Sequence, residues 1–240
     1  MFGHLPEPIR LYLPPVILGL SAAGAAILAI QLFVLVPDLP LLAASFAMCA
    51  ALHAIGVWGL LKGAFWARGF AIGAIATSGL GFGFVGLGGG VALPAGLVAV
   101  LLLLDGDAAG RYERRSLFLE RKAIDIAGAQ RLFLVALGLG VGLTLLLGSP
   151  LSLTLVLRAP LATSCAAAFG VLGFLGLSRL SSWCYFAIAA AAVSLVVAIV
   201  SSAWVGSSTL AMSVGAPLVA FLLTLVPLTG PVVRALRAPR

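Results

Sequence analysis

The feature that most limits what this chain can fold into is the length of its uncharged apolar runs. Between Arg10 and Asp38 no charged side chain occurs, and the stretch from Val16 to Val36 alone is long enough to cross a hydrocarbon layer. A bilayer core about 30 Å thick needs about 20 apolar helical residues. Backbone groups left unpaired in lipid are too costly to tolerate, so runs of this kind form helices. Of the 240 residues, 62% are hydrophobic and 9% are charged, whereas a soluble domain carries roughly a quarter of its residues as charges. Too few polar residues remain to cover a globular surface. The chain therefore reads as an all-α integral membrane protein, with the lipid bilayer as its first partner. The first apolar run has no small-residue cleavage site and is expected to stay as an anchor.

Proline, glycine and charge punctuate the apolar runs into eight expected spans, near residues 15 to 36, 40 to 61, 67 to 87, 90 to 105, 131 to 148, 155 to 177, 183 to 204 and 209 to 228. The fourth is the shortest, since Gly90 and Asp105 confine it. Sorting the 14 Lys and Arg by loop parity gathers all but Arg158 on one side of the membrane. That asymmetry marks the cytoplasmic side and puts both termini there. Miscounting one span would switch every basic residue downstream of the error. A bacterial inner membrane is the expected setting. The net charge of +7 is an orientation signal in such a chain; no alternation of basic and aromatic residues tracks a phosphate backbone, so nucleic acid is not an expected partner.

The two halves resemble each other. At an offset of 114 residues, Ala54, Gly56, Val57, Gly59 and Leu61 recur as Ala168, Gly170, Val171, Gly173 and Leu175. A small adjustment aligns Phe70, Ala71 and Ile72 with Phe186, Ala187 and Ile188, and Trp66 lies near Trp183; Leu97, Val98 and Ala99 answer Leu218, Val219 and Ala220. The expected organisation is two tandem four-helix repeats in parallel orientation, residues 1–104 and 131–240, joined by a connector over 105–130. Even-numbered units repeat without inversion. Glycines spaced four apart, as in Gly59/Gly63, Gly69/Gly73, Gly79/Gly83, Gly86/Gly90 and Gly138/Gly142, permit the close backbone approach on which lipid-immersed helices depend. In the connector, Leu117, Phe118, Ile124 and Ala127 can share one helical face. Arg114, Arg115, Arg121 and Lys122 suit attraction to anionic lipid at the cytoplasmic surface.

Chemistry-bearing side chains within the spans are few. His53, in the second span, is a weak candidate ligand for haem or a pigment, against the plainer reading of a neutral histidine bonded to a neighbouring helix. Gln31, His53, Thr144 and Thr163 could line a polar path. Asp38 and Arg158, at the outer side, could pair and tie the repeats together. Cys49, Cys165 and Cys184 form no C-x-x-C pair and read as apolar residues.

Several letter patterns fail on context. Gly81-x-Gly83-x-x-Gly86 follows a membrane helix and opens no βαβ unit. Asp105-Gly106-Asp107-Ala108-Ala109-Gly110-Arg111 superficially resembles the start of the CDP-alcohol phosphotransferase motif. The downstream glycine and aspartates of that family do not follow, and its arginine position is Gly110. No metalloprotease, serine-hydrolase or NTPase signature occurs. No complete catalytic constellation is present and no metal or organic cofactor is expected, though bound lipid is. The expected function is a non-catalytic multi-pass subunit or scaffold, self-associated or held with other membrane subunits. The alternative is a transporter or channel for a small or lipid-like solute at the repeat interface.

Overall fold

A computed structural model describes residues 6–84, 89–105, 126–149, 153–203 and 209–237, which are helical with no strand among them. In chain order the helices are α1 (Glu7–Leu35), α2 (Pro40–Lys62), α3 (Ala67–Phe84), α4 (Gly89–Leu104), α5 (Ile126–Leu147), α6 (Leu153–Arg158), α7 (Pro160–Ser178), α8 (Cys184–Ala203) and α9 (Thr209–Arg237). Five of them, α1, α2, α5, α7 and α8, are long and apolar enough to cross a membrane. In α4 and α9 the apolar stretches are shorter, Pro94–Leu104 and Gly215–Gly230. Arg114, Arg115, Arg121 and Lys122, with the surface helix expected for them, lie outside the described residues.

Boundaries differ from the sequence reading where proline intervenes. The sixth expected span is interrupted: α6 ends at Arg158, Ala159 leaves helical geometry with φ −136 and ψ 61, and α7 starts at Pro160. Proline disfavours the α region in the residue before it and is well suited to the first helical turn, where its missing N–H is not needed. The same device starts α2, where Leu39 has φ −116 and ψ 51 before Pro40.

Helix directions follow from which residues meet. A Cβ added to Gly59 would strike Ala67 and Trp66, and one on Gly56 would touch Ala71, so α2 and α3 run antiparallel. Ile75 approaches Gly96 and Arg68 bonds the Leu103 carbonyl, which sets α3 against α4 in the same sense. Gly138 meets Thr224 and Gly142 meets Phe221, so α5 and α9 are antiparallel too. Helices α3 and α5 alone among these pairs run in the same direction. Gly69 faces Phe133, Ala136 and Leu137, and Gly73 faces Leu137, Gly140 and Val141.

That parallel pair is the centre of the fold. On Gly69, Gly73 and Gly140 a methyl group would collide with backbone atoms of the opposing helix rather than with movable side-chain ends. Around this seam Phe70, Leu139, Leu143, Ile188 and Phe221 are almost fully buried. Trp66 and Phe70 each pack on Phe174 with ring centroids 4.8 Å apart, which carries the core from α3 to α7. By contrast α1 exposes Leu20, Ile30, Phe33 and Val34, an apolar outer surface of the kind that suits lipid contact.

The α2–α3 and α7–α8 turns use identical hydrogen bonds. In the first, Ala64 N donates to Gly59 O, Gly63 N to Leu60 O and Ala67 N to Ala64 O. In the second, Ser181 N donates to Gly176 O, Leu180 N to Leu177 O and Cys184 N to Ser181 O. Every position in the second turn lies 117 residues after its counterpart. Packing agrees, since Gly56 against Ala71 is matched by Gly173 against Ile188, and Gly59 against Ala67 by Gly176 against Cys184. This register is three residues, a little under one helical turn, from the offset of 114 carried by the sequence block. Helix α7 has 19 residues where α2 has 23, so their starts lie 120 residues apart and their ends 116.

Candidate functional site

Polar side chains within an apolar bundle are costly to desolvate and collect where partners exist. The densest such group lies where α2 meets α3 and α5. On α2, Cys49 and His53 are one turn apart and share a face; both are buried. His53 Nε2 is 3.1 Å from Ser78 Oγ on α3, and His53 Nδ1 is 3.6 Å from Cys49 Sγ. The Ser78 hydroxyl lies 3.1 Å from the Ile75 carbonyl, to which it donates. One proton arrangement satisfies all of them: Ser78 donates to Ile75, His53 Nε2–H donates to Ser78, and the Cys49 thiol donates to Nδ1. In this tautomer the imidazole is neutral and both ring nitrogens are engaged.

Helix α5 closes the group. A Cβ on Gly148 would lie 3.2 Å from both Cα and Cβ of Cys49, and one turn earlier on α5 stands Thr144. That side chain is 1% exposed, and its Oγ1 has no hydrogen-bond partner. It is the one such orphan among the described residues. Nearby on α3, Thr77 is satisfied by the Gly73 carbonyl at 2.7 Å.

The four residues expected to line a polar path are thus not gathered. His53 bonds Ser78 on α3, Thr144 is buried on α5 one turn before the Gly148–Cys49 approach, Gln31 is exposed on α1, and Thr163 is buried on α7, donating to the Ala159 carbonyl at 2.8 Å. Asp38 and Arg158 are both exposed, and among the described residues no ion pair joins them. Asp38 sits in the α1–α2 turn, and Arg158 ends α6 at the mouth of a groove against α8.

One functional-looking residue escaped the sequence reading. Arg68, counted there only among the charges that set orientation, is buried at the start of α3. Its Nε donates to Leu103 O at 2.7 Å and its guanidinium lies 4.6 Å from the Phe133 ring centroid. It thereby pins α3 to α4 and α5. The available signal was its place directly after the turn Lys62–Trp66, at the first turn of the next apolar run.

Comparison of the chain with protein families, with curated proteins and with solved structures gives no match. Among the described residues no three or more His, Cys, Asp or Glu side chains converge as metal ligands would. What the cluster can do chemically is hold helices in register: a three-member hydrogen-bond chain links α2 to α3, and the closed glycine seam beside it leaves α5 in direct backbone contact.

Proposed function

We propose that the chain is a non-catalytic multi-pass membrane subunit or scaffold, with eight crossings arranged as two tandem four-helix halves and both ends on the cytoplasmic side. The observation that carries the reading is the seam between the halves, where Gly69 and Gly73 on α3 lie against the backbone of α5 and Gly140 on α5 lies against the backbone of Phe70 on α3. A solute path needs space at such an interface, and a rigid assembly subunit needs none.

The arrangement in halves is supported by packing. Helices α1–α2, α2–α3, α3–α4 and α1–α4 are neighbours, and so are α5–α7, α7–α8, α8–α9 and α5–α9. The duplicated turn at an offset of 117 supports it further. Helices α3 and α5 run in the same direction, which alternating crossings require if the short α4 spans the membrane between them. The location of nearly all Lys and Arg on one side agrees.

Purification under gentle extraction tests the function. A scaffold elutes with stoichiometric partner chains or as a defined self-assembly by light scattering; a lone monomer that retains no partner sinks the proposal. A second reading, a path for a small or lipid-like solute between the halves, has one observation in its favour, the orphaned Thr144 hydroxyl. Native buried hydroxyls almost always have partners. Solute flux into vesicles that is lost on filling the Thr144 site would promote that reading over the first.

A further inference from the structure

A groove of about 510 Å³ opens between the α6–α7 break and α8. One wall is formed by Arg158, Leu161 and Cys165, the other by Val193, Val197 and Ser201. Its volume lies in the range of small-ligand sites. The walls are mainly apolar, and the Ser201 hydroxyl is spent on the Val197 carbonyl at 2.8 Å. The charge lies at one end. Arg158 is exposed, and no described side chain neutralises it. Beside it starts α7, a 19-residue helix whose N-terminus has no side-chain cap, so the unpaired first-turn amides add positive potential at the same end.

Dimensions suggest the occupant. From Val193 to Ser201 the groove follows α8 for about 12 Å at 1.5 Å per residue, close to the roughly 15 Å of one leaflet of a 30 Å core. An arginine at the polar end and an apolar trough reaching one leaflet deep match a molecule with an anionic head and an acyl tail. A soluble anion would use the arginine and leave the trough empty.

We propose that this groove is a binding site for an anionic phospholipid, whose phosphate is held by Arg158 and the start of α7 and whose acyl chain lies between α7 and α8. The inference rests on the membrane-spanning reading and is independent of the subunit role, because lipid occupancy is read on the chain itself with or without partners.

The test uses the full chain in phosphatidylcholine vesicles doped with photoactivatable phosphatidylglycerol or with phosphatidylcholine carrying the same acyl probe. One basic residue near the membrane surface contributes roughly a fivefold preference for anionic lipid. Crosslinks on residues 158–165 and 193–201 should therefore favour phosphatidylglycerol by roughly that factor. Arg158→Gln reduces the phosphatidylglycerol yield to the phosphatidylcholine level, Arg158→Lys keeps most of the excess, and Val197→Trp, which fills the trough, lowers both yields. Equal wild-type yields, or an excess that survives Arg158→Gln, overturns the proposal. The lysine variant keeps the test decisive if the glutamine variant does not fold, since loss of the excess with charge retained also overturns it. Free glycerol phosphate in large excess leaves the crosslinks unchanged; competition by it would assign the site to a soluble phosphate and overturn the lipid assignment.

Discussion

Gly63 and Leu180 occupy the same place in two turns with the same hydrogen bonds and share the same left-handed backbone, with φ +64 and +50. For glycine that conformation is free of steric cost, whereas for leucine it costs roughly 1–2 kcal/mol. Gly63→Ala should therefore lower stability by about 1 kcal/mol. Leu180→Gly should change it by less, because the relieved strain is offset by the loss of a partly buried side chain packed on the core and by the greater freedom of glycine in the unfolded chain. Thermal melting in detergent compares the two. A neutral Gly63→Ala would remove the argument that this turn depends on glycine.

The α3–α5 seam makes a sharper demand. At Gly73 an added methyl would overlap backbone atoms of Leu137 and Val141, which cannot rotate away as a side chain can. Gly73→Ala should cost at least the roughly 1–3 kcal/mol typical of overpacking and shift the chain toward aggregated species on size exclusion. Gly24→Ala on α1 is the control. Nothing lies within 4 Å of its Cβ position, so the better helix propensity of alanine should leave stability unchanged or raise it by up to about 1 kcal/mol. Equal effects at the two positions would show that the seam is looser than its geometry.

Much of this architecture is legible in the sequence because lipid imposes a simple rule on composition. Uncharged runs bounded by Pro40 and Lys62 mark helices, and their helical character needs no knowledge of neighbours, whereas the break before Pro160 was not read from the run around it. Pairing does need it. Glycines spaced four apart announce close approach without naming the partner, and only the fold assigns Gly69 and Gly73 to α5 while giving Gly63 to a turn. The recurring letters suggested an offset of 114, whereas the hydrogen bonds of the two turns correspond at 117; an alphabet rich in Leu, Ala and Gly matches nearly as well one turn away. Arg68 shows the same limit: its charge reads only as an orientation signal until the Leu103 carbonyl and the Phe133 ring are seen beside it.

Arg68 is the next test. A buried guanidinium that loses its partners is costly, and hydrogen bonds to charged groups contribute about 1.5–3 kcal/mol. Arg68→Ala removes the donor to Leu103 and the stack on Phe133 together, and should destabilise by about 2–3 kcal/mol. Arg68→Lys should recover only part of this, since an ammonium lacks the planar face that stacks on Phe133. Melting curves that place the lysine variant level with wild type would show that charge alone matters here.

His53 and Ser78 are coupled through one hydrogen bond. Ser78→Ala strips the acceptor from a buried imidazole N–H and should cost about 1–3 kcal/mol. His53→Leu removes the imidazole that Ser78 serves. If they act as a pair, the double variant should be less destabilised than the sum of the singles by on the order of 1 kcal/mol. Strict additivity in that cycle would mean the 3.1 Å contact contributes nothing.

Thr144 separates the two functional readings. Its hydroxyl is buried without a partner, which costs about 1–3 kcal/mol in mutational measurements, and valine has nearly the same shape without the polar atom. In a subunit whose interior only packs, Thr144→Val should therefore stabilise the chain by about 1 kcal/mol and leave partner association unchanged. In a solute path the hydroxyl supplies a ligand contact, so the same substitution would raise the melting temperature while abolishing flux. Should Thr144→Val instead lower stability, the hydroxyl must be bonded in the membrane, and the cluster around His53 would then include a bound water or solute between α2 and α5.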